Sequence, residues 1–226
     1  MFGGYFETIM LFELLDPTDL RCKSFRDEAV IFERFGTGET DILFLELIAY
    51  DWQQSVIDPA ALLQALATRP RHRPWILMVD TTLLGPLFDA GALLVTLAEH
   101  KPLLMLEIRS GLKLEQVGLE FSNVGVIRVL SPETLDSKQY PDAKKFQQKL
   151  AFSRGKMGTS LSFSQVAILD APWIFDPELT LQHTRAVMDN NRALAYALSG
   201  IEGIFAQVNH PALGAQKALA WAESPL

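Results

Sequence analysis

The chain has 226 residues, 49% of them hydrophobic and 21% charged, an ordinary globular balance and enough length to bury a sizeable core. Its net charge of −7 is concentrated at the front, where residues 1–60 hold 12 acids against 4 bases and read as a solvated acidic surface. No basic stripe interleaved with aromatics and no span-length apolar window occurs, so nucleic acid and membrane are both excluded as partners.

Cys22 is the single cysteine, which rules out an intrachain disulfide and suits a reducing compartment. The start has no basic n-region, and Glu7 and Glu13 break its apolar run, so a secretory signal is not expected. The expected location is cytoplasmic.

In chain order, Gly3-Gly4 makes a turn, followed by a helical segment through Phe6, Ile9, Met10 and Leu14. Residues 29–35 are apolar and β-branched enough for a short strand, ended by Gly36-Thr37-Gly38. Residues 42–49 form a near-continuous apolar run, the pattern of a strand covered on both sheet faces. Asp58 caps and Pro59 opens a helix over residues 59–68. After the polar connection at residues 71–74, a second buried strand covers 75–79 and ends at Asp80.

Residues 86–98 read as helix, 103–108 as a third strand and 124–130 as a fourth. A loop over 131–140 leads to a helix over 143–152 whose basic side (Lys144, Lys145, Lys149) reads as a surface face. Another helix covers 161–169. Asp176-Pro177 starts a long one that runs to about Leu198, where Gly200 stops it. Residues 204–208 read as a strand leading out. The pattern predicts an α/β fold, a mostly parallel sheet with crossover helices ending in a long helix. The expected division is a large domain over residues 1–200 and the start of a small C-terminal domain or tail over 201–226.

In parallel sheets, ligands sit beyond the carboxyl ends of the strands. Asp80 ends one buried strand and Lys113 lies just past the next, within Arg109-Ser110-Gly111-Leu112-Lys113. Alone, Asp80 reads as a helix cap and Lys113 as a solvated lysine. Together they are the groups with which an enzyme holds a pyridine ring: the acid pairs with the ring nitrogen and the lysine, desolvated in the same pocket, bonds to the aldehyde. Ser110 is placed to offer its hydroxyl to a cofactor phosphate. The histidines have no metal-like spacing, and there is no nucleophile elbow, Walker loop or dinucleotide fingerprint.

Several short blocks, in order, extend this pattern: Gly4-Tyr5-Phe6-Glu7-Thr8, Leu45-Glu46 with Val56-Ile57-Asp58, Val79-Asp80-Thr81-Thr82 with Pro86, and Ser110-Gly111-Leu112-Lys113. Near the end, Asn190-Asn191 is followed by Val208-Asn209-His210-Pro211-Ala212-Leu213. With these blocks the chain resembles the cysteine/methionine-metabolism family of pyridoxal-phosphate enzymes (cystathionine synthases and lyases, methionine γ-lyase), which have the fold-type-I aminotransferase architecture. The resemblance implies pyridoxal 5′-phosphate as cofactor, with Lys113 carrying it, Asp80 on the ring nitrogen, and Ser110 and Thr82 among the cofactor-binding residues. Tyr50 stands where the family has an asparagine on the phenolic oxygen and offers a hydroxyl instead. Leu112 replaces a threonine that contacts phosphate.

The family's glycine-containing phosphate loop would precede residue 1, and its substrate-carboxylate arginine would follow residue 226. A homo- or hetero-oligomer with a partner supplying that loop is therefore implied. The implied activity is that of a lyase or transferase on a sulfur-containing or γ-substituted amino acid. The alternative is a non-catalytic subunit of the same fold, a scaffold or regulator for an active partner.

Overall fold

The computed structural model describes residues 27–48, 56–70, 72, 74–100, 104–131, 143–201, 203, 207–210 and 213. Several expectations lie outside these residues: the first helical segment, Cys22, Tyr50, nearly all of the 131–140 loop, most of the 204–208 strand and most of the unit beginning at residue 201.

The first described element corrects a reading. Residues 29–35 are not a strand but lie within helix α1, Glu28–Gly36. Asp27 sets it: its carboxylate accepts the Ala29 N–H at 2.9 Å, with Glu28 in the first turn and Arg34 in the last. Ile31, Phe32 and Phe35 then bury one helical face. Strand β1 is Ile42–Glu46. Helix α2 is Pro59–Thr68, opened by Asp58 accepting from Ala60 N–H at 3.0 Å, as expected.

Helices α1 and α2 pack closely: a Cβ on Gly36 would lie 2.6 Å from Thr68 Oγ1. Arg69, just past α2, donates to Phe35 O at 2.8 Å and stacks its guanidinium 4.5 Å from the Phe35 ring centre. Phe35 meets Trp75 edge to face at 5.1 Å. Such an aromatic pair adds roughly 1 kcal/mol beyond its buried area.

Strand β2 is Ile76–Asp80. The helix expected over 86–98 is interrupted: a 3-10 turn covers Gly85–Leu87, the chain extends at Phe88, and helix α3 runs Ala90–Leu97 before a second 3-10 turn, Ala98–His100. Strand β3 is Leu104–Ser110 and β4 is Gly125–Leu130. Helix α4 is Ala143–Lys156, α5 is Phe163–Leu169 and α6 is Pro177–Ser199. Asp176 caps α6 by accepting from Leu179 N–H at 2.7 Å, and Ser162 and Gln165 form a capping box on α5.

The fold is α/β, with a four-stranded, mostly parallel sheet in the order β1-β2-β3-β4 and a long final described helix. Glu46 pairs with Asp80 across β1 and β2, and Asp80 with Ile108 across β2 and β3, both parallel. Strand β4 runs antiparallel to β3, with Ser110 opposite Gly125. No crossover helix separates β3 from β4, so the chain turns back directly through residues 111–124. Leu43, Leu45, Leu77, Val79 and Met105 face the helix layer and belong to the main core. Strand β1 is buried from Leu43 to Glu46, as its apolar run predicts, whereas β4 is a partly exposed edge. Helix α6 packs on the 3-10 turn after β2. Among the described residues, no helix is long and apolar enough to cross a membrane.

Candidate functional site

The carboxyl ends of β2 and β3 are linked by consecutive hydrogen bonds. Side chains alternate along β2, so Asp80 shares a face with Met78 while Thr81 faces the other way with Val79. The Thr82 N–H donates to Asp80 Oδ1 at 2.8 Å, which turns the chain out of the strand. The Ser110 N–H donates to Thr82 Oγ1 at 3.0 Å, and the Leu112 N–H to Ser110 Oγ at 3.2 Å. Asp80, Thr82 and Ser110, three residues singled out from sequence, thus meet at one strand edge. None of these bonds consumes the hydroxyl hydrogen of Thr82 or Ser110.

Lys113 lies three residues beyond Ser110, at the same edge of the sheet. It is not the desolvated amine expected from the sequence: its side chain is 54% exposed, and Nζ lies 3.4 Å from Glu120 Oε1. Glu120 is equally exposed, so the ion pair is worth well under about 1 kcal/mol and holds the amine only loosely.

The loop carrying Lys113 is firmly built. Gln116, fully buried, donates to Gly111 O at 2.9 Å and to Ser122 O at 2.6 Å, and accepts from Ser122 N–H at 2.8 Å. The Gly111 N–H donates to Val124 O at 2.8 Å. Tight turns put Val117, Gly118 and Glu120 at φ 47°, 77° and 51°. Leu114 sits against Gly85, where φ is 52° and a Cβ would come within 2.5 Å of Leu114 Cδ1, so a larger residue there would strain the turn and displace the Leu114 side chain. Ahead of α6, the Phe175 N–H donates to Glu115 O at 3.2 Å.

Beneath the loop lies a charge network. Glu107, 1% exposed, accepts from Thr81 Oγ1 at 3.0 Å and from Arg128 Nη1 at 2.7 Å, with Arg109 Nη1 at 3.4 Å. Arg109 Nε lies 2.7 Å from Glu115 Oε1. Burial pushes the Glu115 carboxyl above its ordinary range; the Arg109 guanidinium opposes this and Glu107 adds to it. The network ties β2, β3 and β4 to the start of the Lys113 loop.

Sequence reading passed over Glu107, Glu115, Gln116 and Arg128. A signal existed for the first: Glu107 and Arg109 stand two apart in a strand that is apolar from Leu104 to Leu106, so both point to one sheet face, where a buried acid needs a polar partner. Glu115 and Gln116 carry no such signal, because their partners come from the loop's path.

A separate open cleft of about 380 Å³ is lined by Pro172, Trp173, Asp176, Glu178, Leu179 and Gln182, and Asp80, Thr82, Ser110 and Lys113 do not line it. No cluster of His, Cys, Asp or Glu suited to a metal ion occurs among the described residues. Comparison with protein-family models, with curated proteins and with solved structures finds no match to this chain.

Proposed function

We propose that the chain is the large-domain part of a pyridoxal-phosphate-dependent lyase or transferase of fold type I. Its substrate would be a sulfur-containing or γ-substituted amino acid, and its site would be completed by a partner chain in the cytoplasm. The observation that carries this reading is the hydrogen-bonded strand edge Asp80–Thr82–Ser110, with Lys113 on the loop that leaves it.

The donor set fits the group. A carboxylate engaged by one N–H keeps further acceptor sites for a protonated ring nitrogen. The Ser110 and Thr82 hydroxyl hydrogens suit phosphate oxygens. Lys113 gives up only a weak, exposed ion pair in bonding to an aldehyde. Pyridoxal phosphate, when bound, supplies an electron sink that labilises the bonds at the substrate's α-carbon. Asp80 would keep the ring nitrogen protonated, and Lys113 would carry the proton to and from the α-carbon. The buried Glu107–Arg109–Glu115 network would orient the loop that delivers Lys113.

The second reading, a non-catalytic subunit of the same fold, is favoured by Leu112 in place of a phosphate-binding hydroxyl and by the solvent-facing Lys113–Glu120 pair. Borohydride trapping distinguishes the two. Protein mixed with pyridoxal phosphate is reduced, digested and mapped by mass spectrometry. The enzyme reading expects label on Lys113 in preference to exposed lysines such as Lys149, and its loss in Lys113→Ala. Label spread evenly over surface lysines overturns it.

A further inference from the structure

The open cleft at the start of α6 is walled by three apolar side chains, Pro172, Trp173 and Leu179, and three polar ones, Asp176, Glu178 and Gln182. At about 380 Å³ it falls at the small end of the range for ligand pockets. Its Trp173 is braced from one side: the Phe121 ring meets it at 5.7 Å with an interplanar angle of 69°. Rings crossed that steeply do not stack face on face, so Phe121 covers at most one face of the indole. Trp173 is only half-buried, which leaves part of the ring open to a ligand.

The charge beside this ring is of one sign. The described side chains that line the cleft include two carboxylates and no base, and neither Asp176 nor Glu178 forms an ion pair with a described residue. Asp176 Oδ1 accepts the Leu179 N–H at 2.7 Å and Glu178 Oε1 accepts from Gln182 Nε2 at 3.4 Å, so each carboxylate keeps a second oxygen. The N-terminus of α6 contributes about half a positive charge, which two full negative charges outweigh. An anion is therefore disfavoured. A metal ion asks for more oxygen or nitrogen ligands than these two side chains supply. An organic cation suits the set: the indole face attracts positive charge, the carboxylates accept N–H bonds, and Pro172 and Leu179 cover an aliphatic stem.

We propose that this cleft binds a small organic cation, an ammonium or guanidinium group on a short aliphatic stem, with its head between Trp173 and the Asp176 and Glu178 carboxylates. The cleft touches the loop over 111–124 at three points. Phe121 packs on Trp173, the Phe175 N–H donates to Glu115 O, and a Cβ on Gly118 would lie 3.7 Å from His183 Nε2. A ligand here leans on the loop that carries Lys113. The inference itself does not depend on the cofactor reading.

NMR titration of the isotope-labelled full chain with pentylammonium chloride tests it, with pentanol as the uncharged control. The Trp173 indole N–H resonance is identified by its loss in Trp173→Phe. The expected result is a saturable shift of that resonance, half-complete below about 10 mM, and none with pentanol. The Trp75 indole, which donates to His100 O at 3.0 Å, should stay in place. In Asp176→Asn/Glu178→Gln the midpoint should rise at least about fivefold. Neither side chain is buried and asparagine caps a helix as well as aspartate, so this variant should otherwise keep the wild-type spectrum. A Trp173 resonance that does not move overturns the proposal, as does equal binding of pentanol or a double variant that binds like wild type. A blocked lysine tripeptide with a midpoint at least about tenfold below that of pentylammonium overturns the small-molecule assignment in favour of a peptide.

Discussion

Glu107 sits in a strand whose other central residues are apolar, yet it gathers Thr81, Arg109 and Arg128 around one carboxylate. Removing one partner of a buried ion pair leaves the others uncompensated, which costs about 3–5 kcal/mol. Arg128 is half in water, so Glu107→Ala should lie near the lower end, about 3 kcal/mol in urea unfolding. A loss below about 1 kcal/mol, typical of a surface pair, would contradict the network. Glu115 makes a prediction about pH. Above the ordinary value of 4.5, and up to its raised folded value, it keeps its proton in the folded chain and loses it in the unfolded one. The folded state then binds more protons, so this residue's contribution to stability declines as pH rises through that window. Wild-type stability relative to Glu115→Gln should therefore fall as pH rises from 4.5, and a flat difference would contradict the burial. At this scale Asp80 and Ser110 were legible, because strand-end acids and hydroxyls announce themselves by position. Glu115 and Gln116 were not, since their partners are set by how a loop folds back.

Helix starts were the easiest elements to read. Asp58-Pro59 and Asp176-Pro177 are local signals, with cap and first-turn proline adjacent in sequence, and both operate in the structure. Residues 29–35 misled because their content is apolar and partly β-branched. Asp27 and the spacing of Ile31, Phe32 and Phe35 decide for helix, since only a helix puts all three on one face and into the main core. The loop over 111–124 is the element on which the site depends, and Gln116 is its internal staple. Gln116→Ala removes three buried hydrogen bonds and leaves the Gly111 and Ser122 backbone groups short of partners. At about 1–3 kcal/mol per buried orphan, the loop should open well before the sheet. Hydrogen exchange should quicken across 111–124 while amides in β1 and β2 keep their protection. Uniform acceleration throughout would mean the loop and sheet unfold as one unit.

Across the whole molecule, the strand order follows from short connections between successive elements, and the apolar runs made the first three strands readable. The direction of β4 is a property of the connection: residues 111–124 form a looped return without a crossover helix, which turns the last strand back on β3. The result places Asp80 and the Lys113 loop on neighbouring strand ends at one edge of the sheet, with α6 packed behind the turn after β2. Whether that edge holds a pyridine ring is tested most directly by titrating pyridoxal phosphate into wild type, Asp80→Asn and Lys113→Ala, with and without a partner chain, and following visible absorbance. The expected result is a new band in wild type, shifted and weakened in Asp80→Asn and absent in Lys113→Ala. The free cofactor's spectrum, unchanged in wild type under every condition, would contradict a shared site for these two residues.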